Sequence, residues 1–213
     1  MLKLVIHEGI CIAFLSDSYI LENNRNRRRD MNRNDAINLM HEYVENINLR
    51  KHMYSVEAAM RAYAKIYGED EELWGITGII HDFDYEKYPS EDEHSVVGAN
   101  ILEEKGAPAE VVHAVRSHVP NSDTPRDTLM DKALFAVDEL CGFIVAVALV
   151  RPSKKIEEVK IKSIKKKLKQ SGFARQVNRE HIELGVVELG AERDEHFQIV
   201  LDAMKTISSE LGL

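Results

Sequence analysis

His81 and Asp82 stand side by side at the end of an apolar run, Trp74-Gly75-Ile76-Thr77-Gly78-Ile79-Ile80. Imidazole and carboxylate resist burial unless something pairs with them, because an unpartnered charge inside a protein is very costly. Asp138 raises the same problem. Three and four positions from it along a helix lie Leu134, Phe135, Cys141 and Gly142, so its side chain shares a core-facing stripe. His52 has Asn48, Leu49, Ser55 and Val56 at those spacings, a mixed environment that suits a half-buried site. Imidazole nitrogens and carboxylate oxygens together suit a divalent ion: zinc, iron, manganese, cobalt or, with more oxygen donors, magnesium. His94 opens a further helical stretch and His118 closes another. Histidines at helix ends that project inward can build a site in the middle of a bundle.

Each of these residues has a blander reading. A lone helical histidine usually serves as a hydrogen-bonding group, and a lone buried Asp can cap a backbone. His94 by itself fits a solvated helix start, and His118 a cation favoured by a helix C-terminus. His113 is five residues before His118, on a different side of its helix, and is not expected to share its ligand role. His7, His41, His181 and His196 fall into no constellation and are expected at the surface or in structural roles.

The elements that must hold this set read as helices. Asn34 is a candidate cap for Asp35–Ile47, and Asn48 for the stretch that Gly68 closes. Asp70, Glu71 and Glu72 begin the run that ends at His81-Asp82, as acids do at a helix start. Residues 83–93 read as a loop, 94–106 as a helix ending at Gly106, and Pro108 as the opening of a short helix. Residues 120–127 form another loop. A long apolar helix follows over 128–150 and stops before Pro152. Ser153, Ser163 and Asn178 are candidate caps for later helices. Glycine and proline are sparse and strand signals are few, so the chain reads as nearly all α.

With 213 residues, 44% hydrophobic and 30% charged, the composition is that of a globular domain with a real core. Cys11 and Cys141 form no pair motif, which suggests a reducing compartment and a cytoplasmic location. Residues 1–30 differ from the rest. Their apolar stretch is interrupted by His7 and Glu8, too short and polar to span a bilayer, and it lacks the basic start and cleavage site of a signal peptide. The expected organisation is a poorly ordered or upstream-translated extension over 1–30, with Met31 as the candidate natural start. One helical domain follows over 31–213, its core at 48–150 and added C-terminal helices at 151–213.

The ordered set His52, His81-Asp82, Asp138 resembles the H…HD…D signature of the HD superfamily of metal-dependent phosphohydrolases. The resemblance covers about Asn48 to Val150. It implies an all-α bundle, with His52, His81, Asp82 and Asp138 as ligands of a divalent metal ion. His94 and His118 are similar to the two extra histidines with which some HD branches hold a second metal, bridged by the HD aspartate. Those branches include nucleotide phosphodiesterases and a small group of di-iron oxygenases. The GYP motif of cyclic-di-GMP enzymes is missing, which argues against that substrate.

The resemblance implies hydrolysis of a small phosphate ester, with nucleotides among the candidate substrates, by a metal-activated water. The alternatives are a di-iron oxygenase on the same scaffold and a non-enzymatic nucleotide-binding or signalling module. Asp82 and Asp84 are the catalytic candidates. Asp84 or Glu86, in the loop after the pair, could act as a general acid or orient a water. Lys51 and Arg50 precede His52 and could meet a phosphate. Residues 151–179 hold eleven Lys/Arg against two Glu, an excess of +9 on a chain of net charge −8, so the remainder carries −17. A basic segment on an acidic body can take a phosphorylated small molecule or present a solvated face. Arg151 and Lys154 are preferred for phosphate contact, because they directly follow the Asp138 helix. The overall acidity argues against broad nucleic-acid binding, and no membrane partner is expected.

Overall fold

The computed structural model describes residues 3–7, 10–14, 31–90, 92–120 and 122–213. Two compact units divide the chain, Met1–Asp30 and Met31–Leu213. In the first, β1 (Lys3–His7) pairs antiparallel with β2 (Ile10–Phe14), with Lys3 opposite Phe14 and His7 opposite Ile10. β1 carries Val5 and Ile6, and β2 carries Ile10, Ile12 and Phe14, residue types that favour a pleated strand. The sequence carries few strand signals, and this pair departs from the all-α expectation. The segment 22–30, ENNRNRRRD, whose composition reads as a polar, basic linker, lies outside the described residues.

The second unit is all-α among its described residues. Its helices are α1 (Arg33–Tyr43), α2 (Ile47–Tyr67), α3 (Glu71–Ile80), α4 (Val96–Glu104), α5 (Ala109–Ser117), α6 (Leu129–Leu149), α7 (Ile161–Leu168), α8 (Arg179–Leu189), α9 (Arg193–Lys205) and α10 (Ser208–Leu211). A short 3-10 turn spans Ile156–Glu158. None of these helices is long and apolar enough to cross a membrane.

Local chemistry sets the helix ends. Asn32, not Asn34, caps α1: its side chain accepts from the N–H groups of Asn34 and Asp35, and the Asp35 carboxylate returns a bond to the Asn32 N–H. Likewise Asn46, not Asn48, caps α2. A capping residue needs an extended backbone, and in both cases the asparagine two positions earlier has it. Asp70 caps α3, Thr128 caps α6 in a capping box with Asp131, and Asn178 caps α8. Ser163 lies inside α7, and Ser153 instead donates to Glu158. Gly68 closes α2 at a φ of +73°, a backbone region that glycine enters without penalty.

Two apolar clusters form the core. One joins α2, α6, α8 and α9 through residues such as Met60, Tyr63, Leu140, Phe143, Ile182 and Phe197. The other joins α1, α3, α4 and α5 through Met40, Met53, Ile79, Phe83, Leu102 and Val115. α2 contributes to both, so it is the shared wall. Helices α2 and α3 approach closely at Gly78, where an added Cβ would fall 2.7 Å from the Glu57 Cα. Glu57 is almost fully buried and neutralised by Arg33 at 2.6 Å and Arg61 at 2.9 Å, which ties α1 to α2. His196 of α9 is fully buried, between the Tyr63 hydroxyl and the Ala136 carbonyl.

Candidate metal centre

Polar side chains converge where the two clusters meet. His52 comes from the second turn of α2, His81 and Asp82 from the C-terminal end of α3, and Asp138 from the middle of α6. His94 precedes α4 and His118 caps the C-terminal end of α5. The elements are far apart in sequence, and all six residues come together in space. His52 Nε2 lies 2.9 Å from Asp138 Oδ1. His81 Nε2 lies 3.4 Å from Asp82 Oδ2 and 3.6 Å from Asp138 Oδ1. On the other side of the same carboxylate, His94 Nε2 and His118 Nε2 each lie 3.2 Å from Asp82 Oδ1. Asp82 therefore faces two donor groups, one with each oxygen. His52, His81, Asp82 and Asp138 form one set, and Asp82, His94 and His118 the other; within each set the ligand atoms lie within 4.8 Å of one another.

The imidazoles are oriented from behind. His81 Nδ1 donates to the Gly78 carbonyl at 2.9 Å, His118 Nδ1 to the Val115 carbonyl at 2.6 Å, and His94 Nδ1 to Asp84 Oδ1 at 3.0 Å. An imidazole that holds its proton on Nδ1 presents a bare lone pair at Nε2. Three such lone pairs then aim at carboxylate oxygens, an arrangement that is repulsive unless positive charge lies between them. His81 Nε2 is fully buried and has no hydrogen-bond partner. A divalent ion satisfies that orphan atom and the facing oxygens together, so the residues fit a metal.

The cluster's demand for positive charge also shows in its titration. Burial pushes the Asp82 carboxyl up, yet His81, His118 and His94 hold it well below the usual carboxylate range. Asp138 behaves alike: burial raises it, and bonds to His52 and His81 overcome that and lower it. Burial works against charge on His81, but Asp82 and Asp138 raise it well above an ordinary histidine. His94 rises to about 9, with burial outweighed by Asp82 and Asp84.

Asp84, a catalytic candidate from the sequence, lies behind His94. It is fully buried, and its oxygens accept from His94 Nδ1 and from the N–H groups of Ser95 and Gly98, at 2.9 to 3.0 Å. Engaged in this way, the carboxylate stands behind His94 and fixes the orientation of its ring. The backbone is bent to reach it. Ser95 takes a φ of +67°, strained for a residue with a side chain, and a Cβ on Gly98 would lie 2.7 Å from the Asp84 Cγ. Glu86 accepts from the N–H groups of Glu45 and Asn46, joining the loop to the α1–α2 turn.

The basic candidates are also elsewhere. Five of the six ligand candidates, His52, Asp82, His94, His118 and Asp138, line a cleft of about 840 Å³, and none of Lys51, Arg151 and Lys154 does. Lys51 donates to the Leu211 carbonyl at 2.7 Å, and Arg151 pairs with Glu158 at 3.4 Å. Lys51 leaves α2 on a different side from the adjacent His52, toward Leu211. His113 lies 3.2 Å from Asp131 and outside the cleft. Instead, Arg116, Tyr85, Phe135, Glu139 and His181 form part of its walls. Arg116 precedes His118 by two residues and Glu139 follows Asp138, so both had a sequence signal. His181, on α8, had none. Burial and the neighbouring Asp138 charge push Glu139 up to about 7, against the Asn178 N–H.

An all-α bundle with a histidine–aspartate cluster able to hold metal defines the class of the molecule. The family model for the HD domain matches residues 49–164, a span that contains all six ligand candidates, and the chain belongs to that family. No curated protein and no solved structure matches the chain.

Proposed function

We propose that the protein is a metal-dependent phosphohydrolase acting on a small phosphate ester. The observation that carries this reading is the division of Asp82, with one oxygen toward His52 and His81 and the other toward His94 and His118. A carboxylate shared in this way suits two adjacent ions, and a pair of ions supplies a water of lowered pKa and a clamp on phosphate oxygens. The chain's own part is to position. The Gly78 and Val115 carbonyls and Asp84 fix three imidazoles, so that no reorganisation is needed when ligands bind. Phe135 and Tyr85 give the cleft apolar and aromatic surface for the organic part of an ester, and its volume suits a small molecule.

His81→Ala and Asp82→Ala are each expected to lose bound metal and phosphate release together. Elemental analysis of full-length protein purified without chelators, alongside a phosphomonoester and phosphodiester panel, tests this. Full turnover in either variant would sink the reading. The complete His94–His118 set equally suits the oxygenase alternative. That reading predicts two irons per chain, oxygen consumption and no phosphate release; turnover unchanged without oxygen would exclude it.

A further inference from the structure

We propose that His181 of α8 and Glu139 of α6 form a donor–acceptor pair in the cleft wall that binds a hydroxyl on the organic part of the substrate. This rests on the phosphohydrolase reading and narrows its substrate class to hydroxylated phosphate esters.

The pair stands beside the candidate metal centre. Phe135, Asp138, Glu139 and Gly142 share one face of α6 by helical spacing, and all four line the cleft. Asp138 belongs to the candidate ligand set. Its charge acts on both Glu139 and His181, and Glu139 also feels His52 and Asp82. α8 packs closely on α6, where a Cβ on Gly185 would fall 2.6 Å from the Ala136 Cα. One turn earlier on α8, His181 lines the cleft too, with its ring centroid 6.0 Å from that of Phe135. α8 lies beyond residues 49–164, so this wall is an addition to the span that matches the HD domain.

Hydrogen bonds fix the polarity of the pair. Asn178 Oδ1 accepts from the N–H groups of Glu180 at 2.9 Å and His181 at 3.4 Å, which leaves the amide nitrogen to face the ring. Asn178 Nδ2 donates to His181 Nε2 at 3.0 Å. Burial lowers the His181 pKa, so the ring is neutral near pH 7 and carries its one proton on Nδ1. Nδ1 lies 3.7 Å from Glu139 Oε1, too far for a direct hydrogen bond. The other Glu139 oxygen accepts from the Asn178 N–H at 3.3 Å. The wall therefore offers one donor and one acceptor side by side, and neither makes a hydrogen bond among the described residues. A hydroxyl accepts from the first and donates to the second. A carbonyl or ether only accepts and an ammonium only donates, so each leaves one of the two atoms unpaired.

The test is calorimetric titration of full-length, manganese-loaded protein, with metal content measured in parallel. The probes are glycerol phosphate and ribose 5-phosphate, set against the hydroxyl-free propyl phosphate and cyclopentylmethyl phosphate. His181→Phe keeps a ring and removes the donor. It is expected to lower the preference for the hydroxylated esters about tenfold, at unchanged metal content and with the hydroxyl-free esters bound as before. A residue that merely packs would weaken both classes alike. In Glu139→Gln the amide oxygen keeps the Asn178 N–H, so the amide NH2 takes the place of Oε1 and a hydroxyl meets two donors. That variant is expected to lose the same preference. An unchanged preference in His181→Phe overturns the proposal; if that variant does not fold, an unchanged preference in Glu139→Gln does so. Equal binding of, and equal phosphate release from, both ester classes by the unmodified protein overturns the hydroxyl pair and leaves the hydrolase reading. A preference in binding that His181→Phe abolishes, without phosphate release from any ester, removes the hydrolase reading and leaves the pair standing.

Discussion

Asp84 shows how much a single buried carboxylate can govern. Its three bonds fix the His94 ring, hold Ser95 in a strained backbone and fasten the first turn of α4. Loss of a partner behind a metal-binding histidine lowers metal affinity by roughly 10–100-fold. Asp84→Ala is therefore expected to reduce the metal content per chain toward that of His94→Ala, while the set built on His52, His81 and Asp138 stays loaded. Elemental analysis after dialysis against a weak chelator reads this directly. Equal metal content in Asp84→Ala and the unmodified protein would mean that His94 needs no such support. A sequence reading could see that Asp84 follows an HD pair, but not that it turns inward. The direction depends on a loop whose shape comes from Ser95 and Gly98, ten and more residues away.

Helix contacts depend on small residues at a few crossing points. A Cβ on Gly185 of α8 would meet the Ala136 Cα of α6 at 2.6 Å, where backbone cannot give way as a flexible side chain would. Overpacking of this kind costs about 1–3 kcal/mol. Gly185→Ala is expected to lower the urea midpoint accordingly, and an unchanged midpoint would show that the two helices separate at little cost. The same region holds His196. Burial lowers its pKa from 6.5 to about 4, against the Ala136 carbonyl, so the folded chain keeps it neutral where the unfolded chain charges it. Its contribution to stability is present above about pH 6.5 and is lost as pH falls toward 4. NMR titration of the His196 ring should find its midpoint well below 6; an ordinary value would mean that α9 opens to water readily. Here the sequence had left His196 without a role, because its partners Tyr63 and Ala136 sit on helices distant in sequence.

For the molecule as a whole, the histidine–carboxylate cluster links stability, protons and metal. In chelator-treated protein His94 has a pKa raised from 6.5 to about 9, with burial outweighed by Asp82 and Asp84. The folded chain then binds this proton more tightly than the unfolded chain. The resulting stabilisation is complete below about pH 6.5 and disappears as pH climbs through about 9. Metal must displace the same protons, so its affinity is expected to rise over that interval. Thermal melts of chelated and metal-loaded protein should therefore diverge with increasing pH, the loaded form gaining relative to the chelated one. Parallel curves from pH 6 to pH 9 would show that protons and metal do not compete for these nitrogens.

What the sequence by itself determined was local or ordered along the chain. Apolar spacing and capping residues marked the helices over 31–213, with starts off by two residues where Asn32 and Asn46 preceded the expected caps. The six ligand candidates were legible because polar groups at the ends and core-facing stripes of apolar helices need a partner, and the order H…HD…D is carried by the chain itself. Only the tertiary structure decided which oxygen of Asp82 meets which histidines, that Asp84 stands behind His94, and that Arg116 and His181 line the cleft while Lys51, Arg151 and Lys154 do not. The physical reason is that a cleft wall assembles from several helices, and the direction in which each helix faces its neighbours is set by their mutual packing rather than by its own periodicity.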